Sequence, residues 1–152
     1  MAAFITAIVS GGSMYPLLHN GDQLLVVKDD TYAVGDVVMC RAAEGFVRTH
    51  RIVRIKKNNI WTKGDNVPHC DEVIQVEQIV GKVRLVIKAK TNQLIDLSRL
   101  KNQWRVVLYA RFELWLIRLS NFFSKRETKH DVKQRLQSIY YKYVVNEFNY
   151  EK

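Results

Sequence analysis

Ser10-Gly11-Gly12-Ser13-Met14-Tyr15-Pro16 puts a serine directly after two glycines. Backbone without Cβ atoms can turn sharply there and present the Ser13 hydroxyl beside its own amide. Acyl transfer needs an attackable oxygen with N–H donors close to the developing oxyanion. A plain Gly-Ser turn is the other reading of this heptapeptide alone. A serine nucleophile also needs a base, and His50 lies in Val47-Arg48-Thr49-His50-Arg51-Ile52-Val53. Strand alternation would put Arg48 and His50 on one face and Val47, Thr49 and Arg51 on the other. The flanking arginines favour the neutral imidazole that a base requires. A partly buried structural histidine is the ordinary alternative. Thr62-Lys63-Gly64-Asp65-Asn66-Val67-Pro68-His69-Cys70-Asp71 adds two carboxylates, Asp65 and Asp71, in a loop-like stretch. Read alone, Gly-Asp-Asn is a common turn.

The elements that must hold these residues are punctuated unevenly. All seven glycines and both prolines lie at or before Gly81. Turns should therefore crowd the first part, and long helices should fill the second. Residues 1–90 carry a net charge of +3 and residues 91–152 a net charge of +6. The expectation is a mainly β domain over 1–90 with a basic α-helical tail over 91–152, α+β overall. Short β-branched runs alternate with turn signals: Leu24 to Val27, Val37 to Met39, Phe46 to Ile55, Ile60 to Thr62 and Val83 to Ile87. Ile79-Val80 and Val83 to Ile87 bracket Gly81, where a bulge or bend is expected. In the tail, Leu108, Phe112, Trp115, Leu116, Leu119, Phe122 and Phe123 recur at helical intervals.

With 152 residues, 47% hydrophobic and 26% charged, the chain is not wholly disordered and suits one domain with an appendage. Two cysteines, Cys40 and Cys70, are too few for a disulfide scaffold and fit a reducing compartment. The apolar run Ala2 to Val9 has no basic flank and is too short for a signal peptide or a membrane span. Cys40, His50, His69 and Cys70 lack zinc-site spacing, so no metal is expected. The net charge of +9 favours an anionic contact, but no helix-turn-helix or RNA-binding signature makes nucleic acid the expected partner. Residues 104–123 hold three arginines, too costly for a spanning helix. They suit an amphipathic helix in the membrane interface, or one packed on the β domain.

Taken in order, Gly-Gly-Ser-Met-Tyr-Pro, Thr-His-Arg-Ile and Thr-Lys-Gly-Asp-Asn with Asp71 six residues beyond Asp65 resemble the signal peptidase I superfamily. The match is to its serine–histidine branch, typified by archaeal and endoplasmic-reticulum enzymes, and runs from about Ser10 to Val86. The resemblance implies Ser13 as nucleophile, His50 as general base, Asp71 as the acid orienting it and Asp65 as a second acid of the same loop. Gly12, Met14 and Pro16 would shape the nucleophile turn and the substrate groove. Self-cleaving repressors and eubacterial signal peptidases resemble the same fold but carry lysine where this chain has His50. One departure is Gly11, where the family usually has a serine hydroxyl near the oxyanion hole. Another is the missing N-terminal anchor.

The implied activity is serine endoproteolysis of leader or signal segments in a peptide or protein precursor, with no cofactor. Its expected setting is cytoplasmic or peripheral on the inner face of the membrane. The competing reading, supported by Gly11, is an inactive β module that binds a peptide or partner.

Overall fold

The computed structural model describes residues 4–42, 45–99 and 108. Seven strands form one antiparallel sheet: β1 (Phe4–Ile8), β2 (Gln23–Val27), β3 (Val37–Arg41), β4 (Val47–Lys56), β5 (Asn59–Lys63), β6 (Ile79–Ile87) and β7 (Leu94–Asp96). The order across the sheet is β1-β2-β6-β3-β4-β5, with β7 also on β6. The mainly β expectation holds. The run Ala2 to Val9, read from sequence only as too short for targeting, supplies edge strand β1.

β6 is the hub, pairing with β2, β3 and β7. Gly81 lies at its crowded point: a Cβ there would meet the Val27 carbonyl oxygen and Val26 Cγ1, each at 2.8 Å. Beside it the β3–β6 register jumps from Met39↔Gly81 to Cys40↔Ile79, so the expected bulge falls at Val80. β3 is buried on both faces, and its alternation divides the core. Val37 and Met39 join Met14, Leu18, Leu24 and Val86 in one cluster. Val38 and Cys40 join Ile52, Ile60, Ile74 and Ile79 in the other.

The sheet does not end at residue 90. Leu94 to Asp96 pair with Leu85 to Ile87, so the expected domain boundary falls inside it. The turn needs no glycine: Asn92 makes it at φ +53°, and asparagine tolerates the left-handed region better than other side chains. The helical reading of the tail, with its amphipathic stretch 104–123, falls outside the described residues except for helical Leu108. Among the described residues no helix is long and apolar enough to cross a membrane.

Candidate active site

The Ser13 loop leaves β1 and is closed at its base by Val9 N–H to the Asp22 carbonyl and Gly21 N–H to the Val9 carbonyl, at 2.8 and 2.9 Å. Gly11 adopts φ +93°, and its N–H donates to Asn20 Oδ1 at 3.2 Å. Met14, Leu17 and Leu18 then plunge into the first core cluster, while Leu18 N–H closes a helical turn on the Met14 carbonyl at 2.9 Å. Three buried apolar anchors immediately after Ser13 hold its backbone while its side chain stays half-buried at the rim. Pro16 is buried beside them, preceded by a cis peptide bond.

β4 carries His50 toward this loop. His50 Nε2 lies 3.0 Å from Ser13 Oγ, and His50 Nδ1 lies 2.5 Å from Asp71 Oδ2. A carboxylate only accepts, so Nδ1 carries the hydrogen and the Nε2 lone pair faces the serine hydroxyl. Asp71 comes from the segment after β5, which doubles back along that strand. Asp71 N–H donates to the Thr62 carbonyl at 2.9 Å, and Ile60 and Ile74 exchange N–H···O bonds of 2.9 and 3.0 Å. Thr62 Oγ1–H donates to Asp71 Oδ2 at 2.7 Å, and Arg48 Nη1–H donates to Oδ1 at 3.1 Å. Burial acts to raise the Asp71 carboxyl. The His50 and Thr62 hydrogen bonds, the electrostatic pull of His50 and the charge of Arg48 outweigh it and hold the group below the usual carboxylate range. The alternation expected for β4 holds, since Arg48 and His50 reach the same carboxylate.

Asp65 does not join this chain of groups. Its oxygens accept from Arg51 Nε and Nη2 at 2.9 and 2.8 Å, and Arg51 Nη1 donates to the Gly35 carbonyl at 2.8 Å. Arg51 projects from the opposite face of β4 to His50, so an acid bonded to it is drawn away from the imidazole. Asp65 anchors the start of the loop.

Sequence reasoning passed over two neighbours of Asp65. Asn66 N–H donates to the Ser13 carbonyl at 2.7 Å, and Asn66 Nδ2 to the Gly12 carbonyl at 3.2 Å, clamping the Ser13 loop. Gly64 lies so close that an added Cβ would sit 2.7 Å from the Ser13 carbonyl oxygen and 3.1 Å from His50 Nε2. The signal was the Gly-Asp-Asn turn itself, whose glycine is needed for approach as well as for bending.

Beside Ser13 lies a cleft of about 370 Å³ between β1 and the first half of β4, walled by Ala7, Val9, Met14, Leu24, Met39 and Arg48 among others. β5 pairs with β4 only from Arg51 onward, so among the described residues no strand pairs with Val47 to His50 on that side. Cys40 is fully buried, and burial pushes its thiol up to about 11, with the Asp71 charge adding to the rise against Arg48. That thiol stays protonated and is no nucleophile. No group of three or more His, Cys, Asp and Glu side chains converges as metal ligands among the described residues.

Comparison against protein families also finds a match over the β fold. The model of the peptidase S24-like family matches residues 2–84, more than half of the chain. This chain belongs to the peptidase S24-like family. The matched span contains Ser13, His50 and Asp71 and ends within β6. Comparison with curated proteins finds none that matches. Membership in the family supports a serine-peptidase kind of protein.

Proposed function

We propose that this S24-like chain is a serine endopeptidase that removes leader or signal segments from peptide or protein precursors. The observation that carries the reading is the continuous file Ser13 Oγ, His50 Nε2, His50 Nδ1, Asp71 Oδ2, with contacts of 3.0 and 2.5 Å. His50 takes the hydroxyl proton as Ser13 Oγ attacks the scissile carbonyl. The Ser13 amide donates to the oxyanion, and His50 returns the proton to the leaving amine. Asp71 holds the tautomer and stabilises the imidazolium. Water then attacks the acyl-enzyme by the same route, releasing the carboxylate product and regenerating Ser13. Histidine at position 50 favours the serine–histidine branch over the lysine-dependent repressors.

The substrate lies extended in the cleft, adding to the Val47 to His50 edge of β4, with small residues one and three positions before the cut. Ala7 and Val9 on the wall suit small apolar side chains. The test is labelling by a serine-reactive phosphonate together with cleavage of a peptide bearing Ala-x-Ala before the scissile bond. Both should occur with the wild type and vanish in Ser13→Ala. Labelling or turnover retained by Ser13→Ala overturns the assignment. Binding of the peptide without labelling or turnover in the wild type would instead favour the inactive peptide-binding module.

A further inference from the structure

The cleft has a single charged residue in its lining among the described residues, and it is Arg48. Its side chain is 36% exposed, yet one end is fixed by the 3.1 Å hydrogen bond to Asp71 Oδ1. A guanidinium presents five N–H donors in a rigid fork, and no described side chain other than Asp71 bonds to this one. Arg48 thus brings to the cleft lining a guanidinium with donors that Asp71 does not engage. The rest of the wall is apolar or uncharged: Ala7, Ile8, Val9, Leu24, Met39 and Val47 are typical of it.

We infer that Arg48 is a specificity-determining residue that reads a carboxylate side chain of the substrate close to the scissile bond. The inference rests on the proteolytic reading above. A neutral peptide filling the cleft would strip water from charged N–H donors and leave them poorly matched. A carboxylate restores both the hydrogen bonds and the charge balance, in the fork geometry that guanidinium groups favour. Asp71 already occupies one end of the fork, so Arg48 loses little further side-chain freedom on binding the second carboxylate.

The position along the substrate follows from the strand. Arg48 and His50 are two residues apart on one face of β4, roughly 6.6 Å at strand rise. An extended substrate beside β4 covers that span in two residues. The cleft lining takes in Val47, Arg48 and Thr49 of β4 but not His50 or any residue beyond it, so the acidic residue lies on the part of the substrate seated in the cleft.

The experiment uses the full chain and peptide pairs differing only as Glu against Gln, scanned over three positions on each side of the cut. The wild type should favour Glu about tenfold in kcat/KM at one position, with the preference shrinking as salt rises. Arg48→Met should bring the Glu/Gln ratio to near one, and Arg48→Lys should keep part of it. Arg48→Met also loosens Asp71 and slows every peptide; the ratio cancels that common loss. A Glu/Gln ratio within twofold at every position of the wild type, or a preference surviving in Arg48→Met, overturns the inference. Fluorescence-anisotropy binding of the same peptides to Ser13→Ala reads Arg48 without turnover. A Glu preference in binding that disappears in Ser13→Ala/Arg48→Met supports the inference even if the wild type cleaves nothing, an outcome that would sink only the proteolytic reading.

Discussion

Two histidines of this chain each sit beside an aspartate and a basic residue, and among the described residues only one of them meets a serine. In the first group, His50 bridges Asp71 and Ser13 while Arg48 holds the far oxygen of the carboxylate. In the second, Lys88 Nζ stands between the partners, 3.0 Å from His19 Nδ1 and 2.7 Å from Asp22 Oδ2. His19 Nδ1 and Asp22 are left 3.9 Å apart. Burial and the Lys88 ammonium lower the His19 pKa against the pull of Asp22, and Lys88 donates to the lone pair that Nδ1 keeps. Asp22 also accepts from the His19 and Ala89 backbone N–H groups at 2.9 and 3.0 Å, and Lys88 binds the Leu17 carbonyl at 2.6 Å. The second group ties the end of the Ser13 loop to the segment after β6. The same residue types thus make either a continuous serine–histidine–aspartate file or a clasp, according to whether the cation flanks the carboxylate or separates it from the imidazole.

The strongest way to break this comparison is to remove the residues that only the first group has. Ser13→Ala and His50→Ala should each reduce peptide cleavage by about a thousandfold or more, and the double variant should be little worse than either single. His19→Ala should stay within about threefold of the wild type, since its ring is outside the file. Turnover assays on the Ala-x-Ala peptide read all four. Equal losses from His19→Ala and His50→Ala would erase the distinction.

Asp71→Asn should come next, lowering kcat by about 10²–10⁴ with KM nearly unchanged, because the amide no longer enforces the tautomer with its lone pair toward Ser13. Asp65→Asn should act mainly on stability, through the Arg51 pair. A kcat loss in Asp65→Asn matching that of Asp71→Asn would return Asp65 to the catalytic file.

Gly64→Ala sharpens the role of close approach. A Cβ 2.7 Å from the Ser13 carbonyl forces the loop or the nucleophile to move. A displacement near 1 Å costs roughly a hundredfold in rate, with about 1–3 kcal/mol of stability from overpacking. Gly12→Ala, with nothing within 4 Å of its added Cβ, should cost far less stability. Urea titration and kcat/KM measured on both variants separate the two effects.

The smallest effect on activity belongs to the clasp. Asp22→Asn should destabilise the fold by roughly 2–3 kcal/mol at neutral pH, since it leaves the Lys88 ammonium short of its charged partner. Turnover per folded molecule should be retained. Burial opposes ionisation of Asp22, but the Lys88 hydrogen bond and the two backbone N–H groups prevail, so its folded pKa lies below the ordinary 3.8. A depressed carboxylate contributes its stability in full above the unfolded pKa and loses it as pH falls through the folded one. The gap in urea midpoint between wild type and Asp22→Asn should therefore be open at pH 7 and close below about pH 3.8. A gap independent of pH would mean that packing, not charge, holds the clasp.

Much of the site was legible in the sequence because its signals are local. Two glycines before Ser13, and period-two alternation through Arg48 and His50, depend only on neighbouring residues and backbone geometry. The turn signals likewise marked out β2 to β6, since Gly, Asn and Asp select turns through their own φ preferences. β1 was missed as a strand because an eight-residue apolar run has no period that separates a buried strand from other apolar segments. β7 was missed because Asn92 replaced the expected glycine. Local pattern does not say which aspartate serves His50; the family resemblance implies Asp71, and only the tertiary structure supplies the reason. Asp65 and Asp71 stand in one loop six residues apart, and nothing local separates them. Arg51 on the far face of β4 captures the first, while the return of the chain along β5 delivers the second to Thr62, Arg48 and His50. The need for glycine at position 64 is of the same kind. It arises because the loops of Ser13 and Gly64, some fifty residues apart in the chain, are pressed together by a sheet whose register no local pattern encodes.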